Sequence, residues 1–113
     1  MEKTIIGLTE KVKIIGKEKE KEIVAKIDTG ATKSSIDGEL AKELGWGPVM
    51  YEATIKSAQG VGKRPVVKGR IILANKRFFM RFTIADRKHM KYGVLIGQNL
   101  LKRGGFLIDP AKE

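Results

Sequence analysis

The residues best suited to chemistry are Asp28-Thr29-Gly30, reached from the apolar run Ile23-Val24-Ala25-Lys26-Ile27 and followed by Ala31. A strand ending in aspartate and then glycine presents a carboxylate at the mouth of a turn where a side chain would clash. Two such carboxylates held side by side cannot both ionise, so the pair shares a proton. One member can then activate water while the other protonates a substrate carbonyl or leaving group. The tripeptide occurs once, so the partner carboxylate has to come from a second copy of the chain. Alone, the tripeptide also reads as a plain strand-to-turn junction, and further residues are needed to decide.

Those residues lie downstream. Val94-Leu95-Ile96-Gly97-Gln98-Asn99-Leu100-Leu101 is an apolar run closed by glycine, with an asparagine able to cap a short helix. Together the two segments resemble the retropepsins, small aspartic peptidases in which Asp-Thr-Gly-Ala forms the catalytic loop and an apolar-apolar-Gly segment packs beside it. The nearer resemblance is to a cytosolic retropepsin-like family that carries the label "ATP-dependent zinc protease" and is sometimes encoded beside ligases adding glutamate tails to a ribosomal protein. It rests on four ordered blocks: Ala25 to Ala31 with Ser34-Ser35, Asp86-Arg87 with Met90, Leu95-Ile96-Gly97, and Gly105-Phe106-Leu107-Ile108-Asp109-Pro110. The resemblance implies a homodimeric aspartic endopeptidase with Asp28, Thr29 and Gly30 as catalytic residues and Ala31 beside the substrate. It also implies that the Thr29 hydroxyl ties the two catalytic loops together. Two positions depart from the pattern: Gln98 stands where both groups usually carry arginine, and Thr32 where the viral enzymes carry that arginine's acidic partner.

A peptide substrate needs a cover and contacts. Gly60-Val61-Gly62 lies between strand-like segments, where a mobile hairpin could close over a bound peptide as flaps do in the resembled enzymes. Lys63 and Arg64 beside it, Arg87, and Lys26 on the same strand face as Asp28 are candidate carboxylate contacts, arginine through its bidentate fork. Each of these alone also reads as an ordinary surface charge.

The elements that must position these residues are mainly β. Thr4 to Leu8, Val12 to Ile15 and Ile23 to Ile27 are rich in β-branched residues and read as a hairpin region, with the alternating Lys17 to Glu22 run as a solvated turn. Asp37 can cap a short helix through Leu44, with Leu40, Ala41 and Leu44 on one face and Gly45 after its end. Tyr51 to Ala58, Arg64 to Leu73 and Arg77 to Ala85 read as three longer strands, broken at Gln59 to Lys63 and at Asn75. Short strands and frequent glycines predict a small closed barrel with one or two short helices, a single domain over residues 1–113, and the resemblance implies that the barrel is of the acid-protease type. Trp46, Phe78, Phe79, Phe82 and Phe106 are expected in the core or an interface.

Composition removes other chemistries. With no cysteine and one histidine, His89, the usual zinc sites cannot be assembled within one chain, and no Gly-Lys-Ser/Thr phosphate motif is present. The expectation is therefore no metal or nucleotide cofactor. Ser34 and Ser35 lack an evident histidine base, which argues against a serine hydrolase. No apolar run approaches the roughly 18 residues of a membrane span, and Met1-Glu2-Lys3 leads into a strand pattern, so a cytosolic protein is expected. The net charge of +10, from 23 basic and 13 acidic residues, favours an anionic partner. An acidic or glutamate-rich peptide is the leading candidate. The alternative is a noncatalytic basic module for RNA or ribosomal surfaces.

Overall fold

A computed structural model describes residues 3–57 and 60–112. In the first ribbon, β2 (Thr9–Ile15) and β3 (Glu20–Ile27) pair antiparallel, and alternate residues Val12, Ile14, Ala25 and Ile27 turn into the core. The charged run predicted as a turn is partly strand, because Glu20 to Glu22 sit opposite Ile15, Ile14 and Lys13. There Lys13 meets Glu20 at 3.5 Å and Lys11 meets Glu22 at 3.8 Å. Cross-strand pairing neutralises these charges where they would otherwise repel.

Ser34 and Ser35, read only as residues after the turn, open the fully buried β4 (Ser34–Asp37). Asp37 then caps α1 (Gly38–Leu44) through its carboxylate and the Leu40 N–H, and Gly45 ends the helix in the left-handed conformation, as the sequence predicts. β5 (Tyr51–Ser57) pairs antiparallel with β6 (Gly60–Leu73), and β6 with β7 (Lys76–Ala85). The break expected over Gln59 to Lys63 is shorter: Gly60 to Lys63 already belong to β6, paired with Ser57 to Thr54. Gln59 and Ala58 lie outside the described residues. Pro65 is tolerated because β6 gains its second neighbour only from Val66 onward.

β8 (Val94–Ile96) runs parallel to β3 and antiparallel to β4, and β4 runs parallel to β7. The order β2-β3-β8-β4-β7-β6 returns to β2 through the β2–β6 pairing, closing a six-stranded barrel with β5 attached outside. This is the mainly β, acid-protease-type barrel the sequence predicts. α2 (Gln98–Gly104) follows β8, and β9 (Leu107–Ile108) pairs in parallel with β1 (Ile5–Ile6). Phe82, Ile36, Ile71, Leu73, Val94 and Ile96 belong to one buried cluster, which Leu44 of α1 and Leu100 of α2 join. Trp46 packs against Phe82 with ring centres 5.1 Å apart and planes tilted by 46°, and donates its indole N–H to the Ile15 carbonyl at 2.8 Å. It lies flat over Gly69, where any Cβ would strike the indole. Of the five aromatics expected inside or at an interface, Phe79 is the exception to burial, 48% exposed on the outer face of β7. No helix among the described residues is long and apolar enough to cross a membrane.

Candidate active site

β3 carries the chain to Asp28, whose N–H donates to the Ile96 carbonyl at 2.8 Å as the last rung beside β8. The carboxylate then holds its own turn: Oδ1 accepts the Gly30 N–H at 3.0 Å, and the Asp28 carbonyl accepts the Ala31 N–H at 3.2 Å. Such self-bonding is what makes aspartate a turn former. Among the described residues nothing donates to Oδ2, which leaves that oxygen able to meet water or a second carboxylate.

The loop after Asp28 is tied to the start of α2. Ala31 and Thr32 carbonyls accept the Gln98 and Asn99 N–H groups at 2.8 and 3.2 Å. These donors would otherwise be unsatisfied at a helix N-terminus. Gln98 adds its side chain, donating from Nε2 to the Thr29 carbonyl at 2.7 Å, so the residue that departs from the family pattern braces the loop inside its own chain. Gly97 is obligatory here because a Cβ would collide with the carbonyls of Lys33 and Ala31.

Asn99 does not cap α2, contrary to expectation; Gly97 occupies the cap position and supplies no side chain. The Asn99 amide instead reaches across the barrel. Its Oδ1 accepts from the Ser34 N–H at 3.1 Å and the Ser34 hydroxyl at 2.7 Å, and its Nδ2 donates to the Arg81 carbonyl at 3.0 Å. Ser34 Oγ in turn accepts the Gly97 N–H at 2.9 Å. This network, centred on the buried Ser34, fixes the loop after Asp28, β4 and β7 against one another. Sequence reading missed it, since no local pattern distinguishes an asparagine that caps from one that bridges.

A cleft of about 570 Å³ opens beside the loop. Of the candidate residues it brings together Gly30, Ala31, Arg64 and Arg87, and it adds Lys33 and Lys56. Asp28 and Thr29 precede Gly30 in the same turn but do not line the cleft, and Lys26, Gly60 and Lys63 are exposed and do not line it either. Lys26 points outward from β3, opposite Thr9 and Leu95 in the ladder, and Lys63 lies on the β5–β6 hairpin opposite Thr54. Lys33 and Lys56 gave no signal in the sequence, because their place depends on how the loop and hairpin converge.

Arg87 is buried and held rigidly. Its N–H donates to Asp37 Oδ1 at 2.8 Å, and its Nε donates to the Tyr92 carbonyl at 2.9 Å. Burial pushes the guanidinium below its ordinary pKa, the nearby charge of Arg64 pushes it further, and Asp37 and Asp28 pull the other way. Neither Arg64 nor Arg87 takes part in an ion pair among the described residues. Two arginines that repel each other across a cleft, with Asp28 near enough to be felt, leave room for a further negative charge.

A closed barrel with one Asp-Thr-Gly turn braced by an Ile-Gly segment defines a retropepsin-type fold. The family model described as RimB-like, retropepsin-like aspartic endopeptidase RimB, matches residues 42–113, and the chain belongs to that family. The matched span starts after Asp28, so the Asp28-Thr29-Gly30 turn lies outside it. Three solved structures share the fold. A Legionella pneumophila protein of unknown function is 22% identical over 98% of this chain and 96% of its own, with a TM-score of 0.69. EIAV protease in complex with an inhibitor is 19% identical over 89% and 90%, with a TM-score of 0.71. Simian foamy virus (mac) protease is 14% identical over 83% and 91%, with a TM-score of 0.62. At these identities the likeness is one of fold. No curated protein matches the chain by sequence.

Proposed function

We propose that the chain is a homodimeric aspartic endopeptidase in which Asp28 from each of two copies forms the catalytic pair. The observation that carries this reading is the Asp28 turn itself, self-bonded through Oδ1, open at Oδ2 and braced by Gln98. One carboxylate, ionised, takes a proton from water as that water attacks the scissile carbonyl. The other, protonated, gives its proton to the carbonyl oxygen, and the tetrahedral intermediate collapses when the amine leaves protonated. Thr29, exposed at the turn, bonds between the two loops through its hydroxyl in this reading, as the resemblance implies. The Gln98 side chain bonds to Thr29 within its own chain, in place of the arginine–acid pair of the viral enzymes.

Substrates are acidic peptides, held by Arg64 and Arg87 with Lys33 and Lys56 around the cleft. The β5–β6 hairpin carrying Gly60 and Lys63 covers the bound chain. Lack of cysteine suits a reducing, cytosolic setting. Neither metal nor nucleotide takes part in this chemistry.

The test is mass spectrometry of a peptide library containing neutral and glutamate-rich members, incubated with wild type and with Asp28→Asn. Wild type cuts and the variant does not. Silence of the wild type at every concentration and pH would sink the enzyme reading in favour of a noncatalytic binding module. Arg64→Gln raises KM for acidic peptides about tenfold or more, the worth of one charge-assisted hydrogen bond, and spares neutral ones. Equal cleavage of both peptide classes by wild type would remove the acidic preference while leaving the dyad intact.

A further inference from the structure

The β6–β7 ribbon turns an unusual face to solvent. Along it Lys68 stands directly opposite Arg81, Arg70 opposite Phe79, and Ile72 opposite Arg77. Like charges directly opposite in a ladder are destabilising. None of these four cations is paired with a carboxylate among the described residues. Aromatic rings hold three of them instead: Lys68 and Arg70 lie 4.7 and 4.5 Å from the Phe79 ring centre, and Arg81 lies 5.7 Å from that of Tyr51. Phe79 and Tyr51 are nevertheless 48% and 42% exposed. Beside Phe79 runs a groove of about 470 Å³ whose apolar walls include Trp46, Pro48 and Met50, with Lys68 and Arg70 at its rim. It shares no lining residue with the cleft beside Asp28.

We propose that this face binds a single-stranded nucleic acid, the backbone following the cations and bases entering the groove to stack against Phe79. An acidic peptide would use the cations but leaves the exposed rings and the apolar groove unexplained, whereas every base has a flat apolar face and every nucleotide a phosphate. Exposed cations gain little from single carboxylates. They gain more from a phosphate backbone that releases condensed counterions as it binds.

The experiment is fluorescence anisotropy of a fluorescein-labelled oligouridylate with the full chain across a salt series. Affinity falls linearly on a log-log plot against salt, and Arg70→Gln or Arg81→Gln each reduces the slope by about one. Phe79→Leu keeps every charge and weakens binding about tenfold at unchanged slope, because one stacked base is lost. Lys11→Gln and Lys13→Gln remove the same charge from the β2–β3 ribbon and leave the slope as in wild type. Binding by Asp28→Asn equals that of wild type, which separates this site from proteolysis. Circular dichroism confirms that each variant is folded. The proposal is overturned if the oligouridylate fails to bind at low salt or if variants of both ribbons lower the slope alike. It is also overturned if a glutamate-rich peptide of equal charge competes as well as unlabelled oligouridylate.

Discussion

The β2–β3 and β6–β7 ribbons are both antiparallel, both contribute one face to the same core, and both carry lysine or arginine along the other. On β2–β3 the outward cations other than Lys26 are answered: Lys11 and Lys13 meet Glu22 and Glu20, and Lys21 near the start of β3 meets Glu43 of α1 at 3.1 Å. On β6–β7 they are unanswered, and Lys68 faces Arg81. A net charge of +10 is a sum over both, so it states how much positive field exists without stating where it acts. Pairing shows where. The charge that looks conspicuous in sequence, the alternating Lys17 to Glu22 run, is the part that cancels. The excess collects on β6–β7 and around the Arg64–Arg87 cleft.

The comparison is first sharpened from inside. If the two ribbons differ only outwardly, truncating their inward residues costs similarly: about 3–5 kcal/mol for Phe82→Ala on β7 and about 2–5 kcal/mol for Ile14→Ala on β2. Both are wholly buried, and urea denaturation reads the loss. A near-silent result at either would mean the ribbons do not share one core. Next in size is Asn99→Ala, which strands the Ser34 N–H and hydroxyl and the Arg81 carbonyl. A loss of about 1–3 kcal/mol in the same measurement is expected, chiefly from Ser34, since buried polar groups left without partners are costly, whereas the exposed Arg81 carbonyl can turn to water. Asn99→Asp restores the acceptor for Ser34 but not the donor to Arg81, and falls between wild type and alanine.

Much of this was legible beforehand for a physical reason. Strand alternation at Val12 and Ile14, the Asp37 cap and the Gly45 stop are local signals, and local signals survive into the fold. The Asp28-Thr29-Gly30 turn belongs with them, because its geometry is set by one carboxylate and the N–H two residues on. What could not be read was set by long-range pairing. Gly60 to Lys63 look like a loop until Ser57 to Thr54 are placed opposite, and Asn99 looks like a cap until Ser34 arrives from 65 residues away. Lys33 and Lys56 enter the cleft, and Lys26 stays out, through the curvature of the barrel rather than through any spacing.

Smaller effects test the outward faces directly. Lys68→Glu places a carboxylate opposite Arg81, with Arg70 still over Phe79, and stabilises the fold by about 0.2–1 kcal/mol. Lys13→Glu places a carboxylate opposite Glu22 and beside Glu20, and destabilises by about the same amount. Thermal melts at low salt read both, and the two shifts converge toward zero as salt is added. Shifts of the same sign would mean that the β6–β7 cations are neutralised in solution after all.

The smallest effect concerns the turn that ties β2–β3 to α1. Glu43 is held below its ordinary pKa of 4.5, first by the hydrogen bond from Lys21, against some desolvation, and further by the charges of Lys21 and Lys19. A lowered carboxylate pKa means that the folded state prefers the ionised form. The contribution is thus present above the ordinary value and is lost as pH falls through the lowered one. Lys21→Gln moves the Glu43 titration, followed by NMR, upward toward 4.5 while Lys19 retains part of the shift. Melting temperatures of variant and wild type differ slightly at neutral pH and coincide in acid. If the Glu43 titration does not move, the Lys21 contact is not populated, and the neutralisation of this ribbon ends at the two pairs between its own strands.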